Sequence, residues 1–283
     1  MATVRVTTAD GIGLHVYVDT PDVSHDRSSE DVPALLVHGL ASNARLWDGV
    51  RRALYESGHT VAAVDLRGHG LSDKPDAGYD FATITADVVS VLDALGWDRA
   101  VVAGQSWGGN VVLELAGRHA ERCAAIVCVD GGWITLSSLG PWEVVRERLA
   151  PPQTEGTPRA AIERYMRQAH PVWTDEAIEG ALACFEVRDD GTVAPHLTLE
   201  RHLTILRHLW EHEPAQLYPR LRTPVVLVPC DDGSPRVEST RTAVAAAEAA
   251  IPDVRTVWFR SSHDVHAERP DDIAAIIREE ARR

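Results

Sequence analysis

Short apolar runs alternate with stretches of helical periodicity along most of the chain. The runs at 4–7 and 14–18 flank Ala9-Asp10-Gly11, whose Asp-Gly pair signals a hairpin turn. Residues 34–37, Ala-Leu-Leu-Val, are apolar without a polar alternate, as a strand covered on both faces requires. Runs at 61–64, 100–103, 124–129, 225–228 and 254–259 repeat that character. Between them lie helical patterns at 46–54, at 83–95 closed by Gly96, at 108–119, at 237–250 ahead of Pro252, and at 271–282 behind Pro270. A polar stretch over 19–31, with Pro21 and two adjacent serines, predicts a loop. Strand and helix in alternation predict an α/β fold, a mostly parallel sheet with helices on both faces and right-handed crossovers.

One segment departs from this rhythm. Residues 131–221 hold no convincing strand run but carry helical patterns at 143–149, 159–168, 175–184 and 199–211. Four of the eight tryptophans, Trp133, Trp142, Trp173 and Trp210, fall within it. The expected organisation is a core of residues 1–130 and 222–283 with a helical insertion, 131–221, between two strands of the sheet. Those tryptophans either line an apolar binding site under the insertion or form its own core.

Composition narrows the class. At 283 residues, 45% hydrophobic and 25% charged, the chain has ordinary globular make-up and enough length for a native-density core. Its net charge of −14 favours solubility and disfavours nucleic acid or an anionic membrane as partner. The four cysteines, Cys123, Cys128, Cys184 and Cys230, form no C-x-x-C pair and read as free thiols of a reducing compartment. With no basic-then-apolar leader and no membrane-length apolar run, a soluble cytoplasmic protein is expected. A homo-oligomer is compatible with these features.

The chemistry gathers at strand ends. Gly104-Gln105-Ser106-Trp107-Gly108 follows the run at 100–103 and opens a helix. In that context a G-x-S-x-G sequence is a sharp strand-to-helix turn that exposes the serine hydroxyl above the sheet. The helix N-terminus behind it favours nearby negative charge. His38-Gly39-Leu40 ends the run at 34–37, where the N–H of Leu40, together with that of Trp107, would form an oxyanion hole. His38 is expected to order this loop or to touch substrate, not to transfer protons. Asp65, Arg67 and His69 follow the next strand as loop-fixing groups. Ser262-His263-Asp264 lies between the last strand and the last helix, from which an imidazole reaches across the crevice to the serine. His266 suits a supporting place behind His263. A metal site using both histidines would lack a matching acidic or cysteine cluster.

The order His38-Gly39, Asp65-Leu66-Arg67-Gly68-His69-Gly70, Gly104-Gln105-Ser106-Trp107-Gly108 and Ser262-His263 resembles the α/β-hydrolase superfamily over essentially the whole chain. Within it the chain is similar to capped esterases, lactonases, carbon–carbon bond hydrolases and cofactor-free haloperoxidases. The resemblance implies an eight-stranded sheet with only the second strand antiparallel, and makes the insertion the family's helical cap. Haloalkane dehalogenases and epoxide hydrolases share the fold but use aspartate at the elbow, so Ser106 argues against both. The family's acid usually follows the strand after the cap, as the fourth residue of a Gly-x-x-Asp turn. Here that turn is Cys230-Asp231-Asp232-Gly233, with Asp232 one residue early. A minority of relatives place the acid after the preceding strand, where this chain has Asp130-Gly131-Gly132. Asp130 is preferred slightly over Asp232, although either suits an ordinary loop cap.

The expected chemistry is a serine hydrolase without cofactor or metal, Ser106 as nucleophile and His263 as base, acting on a small carboxylic ester or lactone with an apolar body. Three rivals share the sequence features. A carbon–carbon bond hydrolase would use the same triad. Acyl transfer to an alcohol would compete with water, and a ligand receptor on the same fold would need none of the serine, histidine and oxyanion set.

Overall fold

The computed structural model describes residues 2–21 and 32–283; the predicted loop lies outside them over 22–31. Ten strands run in chain order as β1 (Ala2–Thr7), β2 (Gly13–Asp19), β3 (Ala34–Val37), β4 (Val61–Asp65), β5 (Ala100–Gln105), β6 (Cys123–Val129), β7 (Phe185–Val187), β8 (Val193–Pro195), β9 (Val225–Val228) and β10 (Val254–Thr256). Eight of them form one sheet in the order β1-β2-β4-β3-β5-β6-β9-β10. β2 is antiparallel to both its neighbours and the remaining pairs are parallel. The mostly parallel sheet is the one that the run order predicts, and its eight strands with only β2 antiparallel are those of the α/β-hydrolase fold that the resemblance implies.

The helices are α1 (Asp48–Glu56), α2 (Phe81–Ala94), α3 (Trp107–Arg118), α4 (Trp142–Arg148), α5 (Arg159–Ala169), α6 (Asp175–Leu182), α7 (Leu199–Glu211), α8 (Arg236–Ala250), α9 (Val265–Glu268) and α10 (Pro270–Ala281). Three of them start on a capping side chain. The Asp80 side chain accepts from Thr83 N at the head of α2, and Thr174 and Thr198 do the same for α6 and α7. Gly96 ends the α2 region with a φ of 68°, a conformation that glycine adopts without strain.

The unbroken apolar strands now have a reason. In β3, Leu35 and Val37 point into the core on one face, with α2 and α3, while Ala34 and Leu36 point into the other, with α1 and α10. Because successive side chains alternate, a strand covered on both sides must be apolar at every position.

Between β6 and β9 the chain makes its helical excursion. Leu136, Val145, Ile205, Leu206 and Leu209 join the core on the α2–α3 face, so α4 and α7 pack directly on the sheet domain. Ile162, Ile178, Leu182 and Val193 form a separate small core under α5, α6 and β8. The expectation that 131–221 lacks strands is corrected here: β7 and β8 pair antiparallel as a hairpin. Its turn is built on Asp190 and Gly191, with Asp190 Oδ1 accepting from Thr192 N at 2.9 Å and Gly191 at φ 78°. A three-residue strand flanked by Arg188 and Asp189 carries too few alternations to register as a period.

One buried side chain ties both ends of the excursion. Asn110, in α3, donates to Ile134 O at 2.9 Å and accepts from Gly132 N at 2.8 Å. Its amide also lies 3.0 Å from His212 Nδ1, while His212 Nε2 lies 3.1 Å from Glu114 Oε1.

Candidate active site

Ser106 sits between β5 and α3 with φ 54° and ψ −119°. This strained turn depends on close backbone approach. A Cβ on Gly104 would stand 2.1 Å from Gly108 O, and one on Gly108 would stand 2.5 Å from His38 O. A Cβ on Gly131 would lie 2.1 Å from Ser106 O itself. Real Cβ atoms do not come so near, so these positions exclude any side chain.

Among the described residues, three non-glycine residues have left-handed φ: Ala41 at 59°, Ser106 at 54° and Asp130 at 42°. They stand at or just beyond the C-terminal ends of β3, β5 and β6, three consecutive strands of the sheet. Strain of about 1–3 kcal/mol per residue concentrates where function demands a set geometry. Parallel strands deliver their ends to one edge, where α/β proteins bind ligands.

His263 reaches the same edge. Its Nδ1 lies 2.5 Å from Asp130 Oδ2, whose side chain is 2% exposed. The other carboxylate oxygen, Oδ1, accepts from Cys230 N at 3.2 Å, and Arg236 Nη2 lies 3.4 Å from Oδ2. Asp232 takes a different task. Its Oδ1 accepts from Ser234 N at 2.9 Å and its Oδ2 lies 3.7 Å from Arg236, so it fixes the turn into α8. Desolvation opposes the His263 imidazolium, but the hydrogen bond and charge of Asp130 outweigh it and lift the pKa above the ordinary 6.5. Burial holds the Asp264 carboxyl above its usual value, against the pull of His263.

The loop carrying His263 is held from two sides. Glu268 accepts from Ser261 Oγ, from Ser262 Oγ at 2.5 Å and from Ser262 N at 3.2 Å. Gln105 donates through Nε2 to His263 O at 3.2 Å. Its Oε1 fills the space above Gly39, where a Cβ would come within 2.3 Å. Neither Glu268 nor Gln105 stands out in the sequence beyond motif membership, because their value lies in contacts across more than one element. His266 is buried against Trp47, ring centroids 4.4 Å apart, and burial pushes its pKa down to about 3.

The loop after β3 is pinned through His38 and Asp65. His38 Nδ1 donates to Gly39 O at 2.7 Å and its Nε2 accepts from Leu66 N at 3.0 Å, leaving no ring nitrogen for a bound molecule. Asp65 accepts from Ala44 N at 2.7 Å and Leu71 N at 2.9 Å. Arg67, almost fully buried, grips Asp87 at 2.6 Å and Asp10 at 3.0 Å. The N–H of Leu40 enters no hydrogen bond among the described residues, and Trp107, as first residue of α3, has no carbonyl a turn below. Both N–H groups are therefore available to an anionic oxygen.

A cavity of about 430 Å³ opens beside this loop, lined by Ala41, Ser42, His69, Phe185, Pro195 and His202 among others. The four tryptophans singled out by sequence lie off it. Trp133 is buried in the main core, and Trp173 stacks on His170 at 3.9 Å. Trp142 and Trp210 meet edge-on at 6.3 Å with the Arg207 guanidinium over both rings.

A family model described as alpha/beta hydrolase fold matches residues 33–166. Epoxide hydrolase A of Mycobacterium tuberculosis is 36% identical over 116 residues, 40% of this chain and 36% of that protein. A putative non-heme haloperoxidase of Mycobacterium phage D29 is 37% identical over 98 residues, 35% of each chain. These alignments span about a third of either relative's length. Among solved structures, E-2-(acetamidomethylene)succinate hydrolase superposes with a TM-score of 0.78 at 22% identity, covering 98% of both chains. The enol-lactonase from Burkholderia xenovorans LB400 superposes at 0.72 with 21% identity, covering 98% of this chain and 99% of its own. No helix among the described residues is long and apolar enough to cross a membrane.

Proposed function

We propose that this chain, which matches an alpha/beta hydrolase fold model over residues 33–166, is a serine hydrolase of the α/β-hydrolase superfamily that cleaves a carboxylic ester or lactone through an acyl-enzyme. The observation that carries this reading is the His263–Asp130 pair, set at the strand edge that holds the strained Ser106. Ser106 Oγ attacks the carbonyl carbon as its proton passes to His263 Nε2. Asp130 holds the opposite N–H and balances the imidazolium. The N–H groups of Leu40 and Trp107 receive the oxyanion, each such donor being worth ~3 kcal/mol. Collapse expels the alkoxide, which His263 protonates, and the same imidazole then activates water to release the acid.

The nucleophile's element argues for acyl chemistry. A carboxylate that opens an epoxide gives an ester, which water can cleave. A serine that opened one would give an ether, which the same machinery would leave in place. Ser106 therefore separates this chain from the activity that names its epoxide hydrolase relative.

A fluorophosphonate should label Ser106 in a one-to-one ratio, located by mass spectrometry of the labelled peptide, and Ser106→Ala should abolish both labelling and ester turnover. Folded protein that is labelled elsewhere, or not at all, would falsify the nucleophile assignment and favour a receptor.

A further inference from the structure

Gln105, the last residue of β5, is polar in a strand whose other side chains are apolar. Val101 and Ala103 point into the core shared with α1 and α10, and alternation sends Gln105 the same way. It is 2% exposed, and a buried amide needs partners. They come from outside the strand. Nε2 donates to His263 O at 3.2 Å and lies 3.4 Å from Asp264 Oδ1. Both of those neighbours are acceptors, so the amide nitrogen faces them and the oxygen faces away. Oε1 then stands over Gly39, 2.3 Å from where a Cβ would be.

A single amide thus touches two loops of the site while its own backbone leads into the third. Gly39 precedes Leu40, the candidate oxyanion donor, His263 carries the base, and Ser106 directly follows Gln105. Asp130 holds the imidazole at Nδ1, 2.5 Å away. A ring held at one nitrogen can still pivot about that bond and carry Nε2 away from the serine. Glu268 secures Ser261 and Ser262 ahead of the histidine. Gln105 secures the carbonyl of His263 itself, and so fixes the main-chain end of the same side chain.

We infer that Gln105 is a positioning residue for the reaction: its amide sets the spacing between the base on the 263 loop and the oxyanion loop after β3. The inference rests on the serine-hydrolase reading and adds a working part to it. The displacements at stake are small, yet misplacing a reacting group by 1 Å costs about 10²-fold in rate.

Two substitutions test it. Gln105→Met has similar length and volume but neither donor nor acceptor. Gln105→Asn keeps the amide and shortens its reach by a methylene, so that it cannot serve both loops. With 4-nitrophenyl acetate as the probe, each folded variant should lose about ten- to a hundredfold in kcat while KM changes by less than about threefold. The rate at which a fluorophosphonate labels Ser106 should fall in parallel. Because Gln105 acts through His263, its loss should shrink to about twofold or less once Asp130→Asn has already disabled the base. A residue that only packs would lower the urea midpoint and leave kcat of the folded enzyme unchanged. That outcome, a rise in KM alone, or an undiminished loss in the Asp130→Asn background overturns the inference and leaves the hydrolase reading intact. If neither variant folds, the amide is a requirement of the fold and the inference is overturned as well. If the wild-type protein neither hydrolyses 4-nitrophenyl acetate nor is labelled at Ser106, the hydrolase reading itself falls and takes the inference with it.

Discussion

Replacing Asp130 by asparagine isolates the orienting carboxylate with little disturbance of shape. The backbone at this position is left-handed, φ 42°, which asparagine tolerates as well as aspartate does. The carboxylate faces three donors: Oδ2 takes His263 Nδ1 at 2.5 Å and Arg236 Nη2 at 3.4 Å, and Oδ1 takes Cys230 N at 3.2 Å. An amide has one oxygen. If that oxygen turns to His263, it also stays with Arg236, but the amide N–H₂ meets the Cys230 N–H, donor against donor. If it turns to Cys230, the amide donates to His263 Nδ1 and forces the proton onto Nε2, which then cannot accept from Ser106. A forced tautomer of this kind lowers kcat by on the order of 10⁴ in the serine protease precedent, or ~5 kcal/mol at 1.36 kcal/mol per decade. Asp232→Asn, by contrast, should keep near-normal kcat, because its carboxylate serves Ser234 N and the α8 turn.

The pH profile gives a second reading of the same site. The base works only when neutral, so kcat/KM rises with pH through the His263 pKa, which Asp130 holds above 6.5. With Asp130 replaced, desolvation is left as the leading influence and the rising limb should move to lower pH. Both variants should be checked for folding by circular dichroism and assayed from pH 5 to 9 with one activated ester. A 10⁴-fold loss at Asp232 with near-normal kcat at Asp130 would refute the argument.

Arg236→Ala removes a cation that holds the His263 pKa down, so its rising limb should shift toward higher pH, read as the midpoint of the same profile. Gly131→Ala places a methyl 2.1 Å from Ser106 O and should destabilise by about 1–3 kcal/mol or more, with loss of kcat; an unchanged urea midpoint would contradict the contact. Trp142→Ala and Trp210→Ala should leave the kcat/KM ranking of acyl chain lengths intact, since those rings pack with Arg207 away from the cavity. Trp133→Ala, in the main core, should cost ~3–5 kcal/mol by chemical denaturation.

Much of this molecule is legible in the order of its residues. Inner strands such as β3 and β9 are continuous apolar runs because both faces are covered, and the helix starts at Asp80, Thr174 and Thr198 follow from capping chemistry. Ser106 and His263 stand out because a strand precedes each and a helix follows. The acid is harder to read. Asp130 and Asp232 both end strands at one sheet edge, and only β6 and β9 side by side show which carboxylate meets the imidazole. The cavity has no linear signal at all. Its lining brings together Ser42, His69, Phe185 and His202, which no spacing rule connects. The β7–β8 hairpin did have a signal in Asp190-Gly191, but strands of three residues give alternation too little length.

Asn110 has a consequence for exchanging parts between proteins. The excursion leaves the sheet at Gly132 and Ile134 and comes back at His212, and one amide side chain contacts both ends. Closing a long loop costs only slightly more than closing a short one once its ends are fixed. The 77 residues from 135 to 211 therefore form a natural cassette. A foreign segment joined at those two seams would inherit the clasp, and Asp130 would keep its place through Val228 and Cys230. Seams cut inside 131–134 would instead sever the clasp and shift the acid along with the roof.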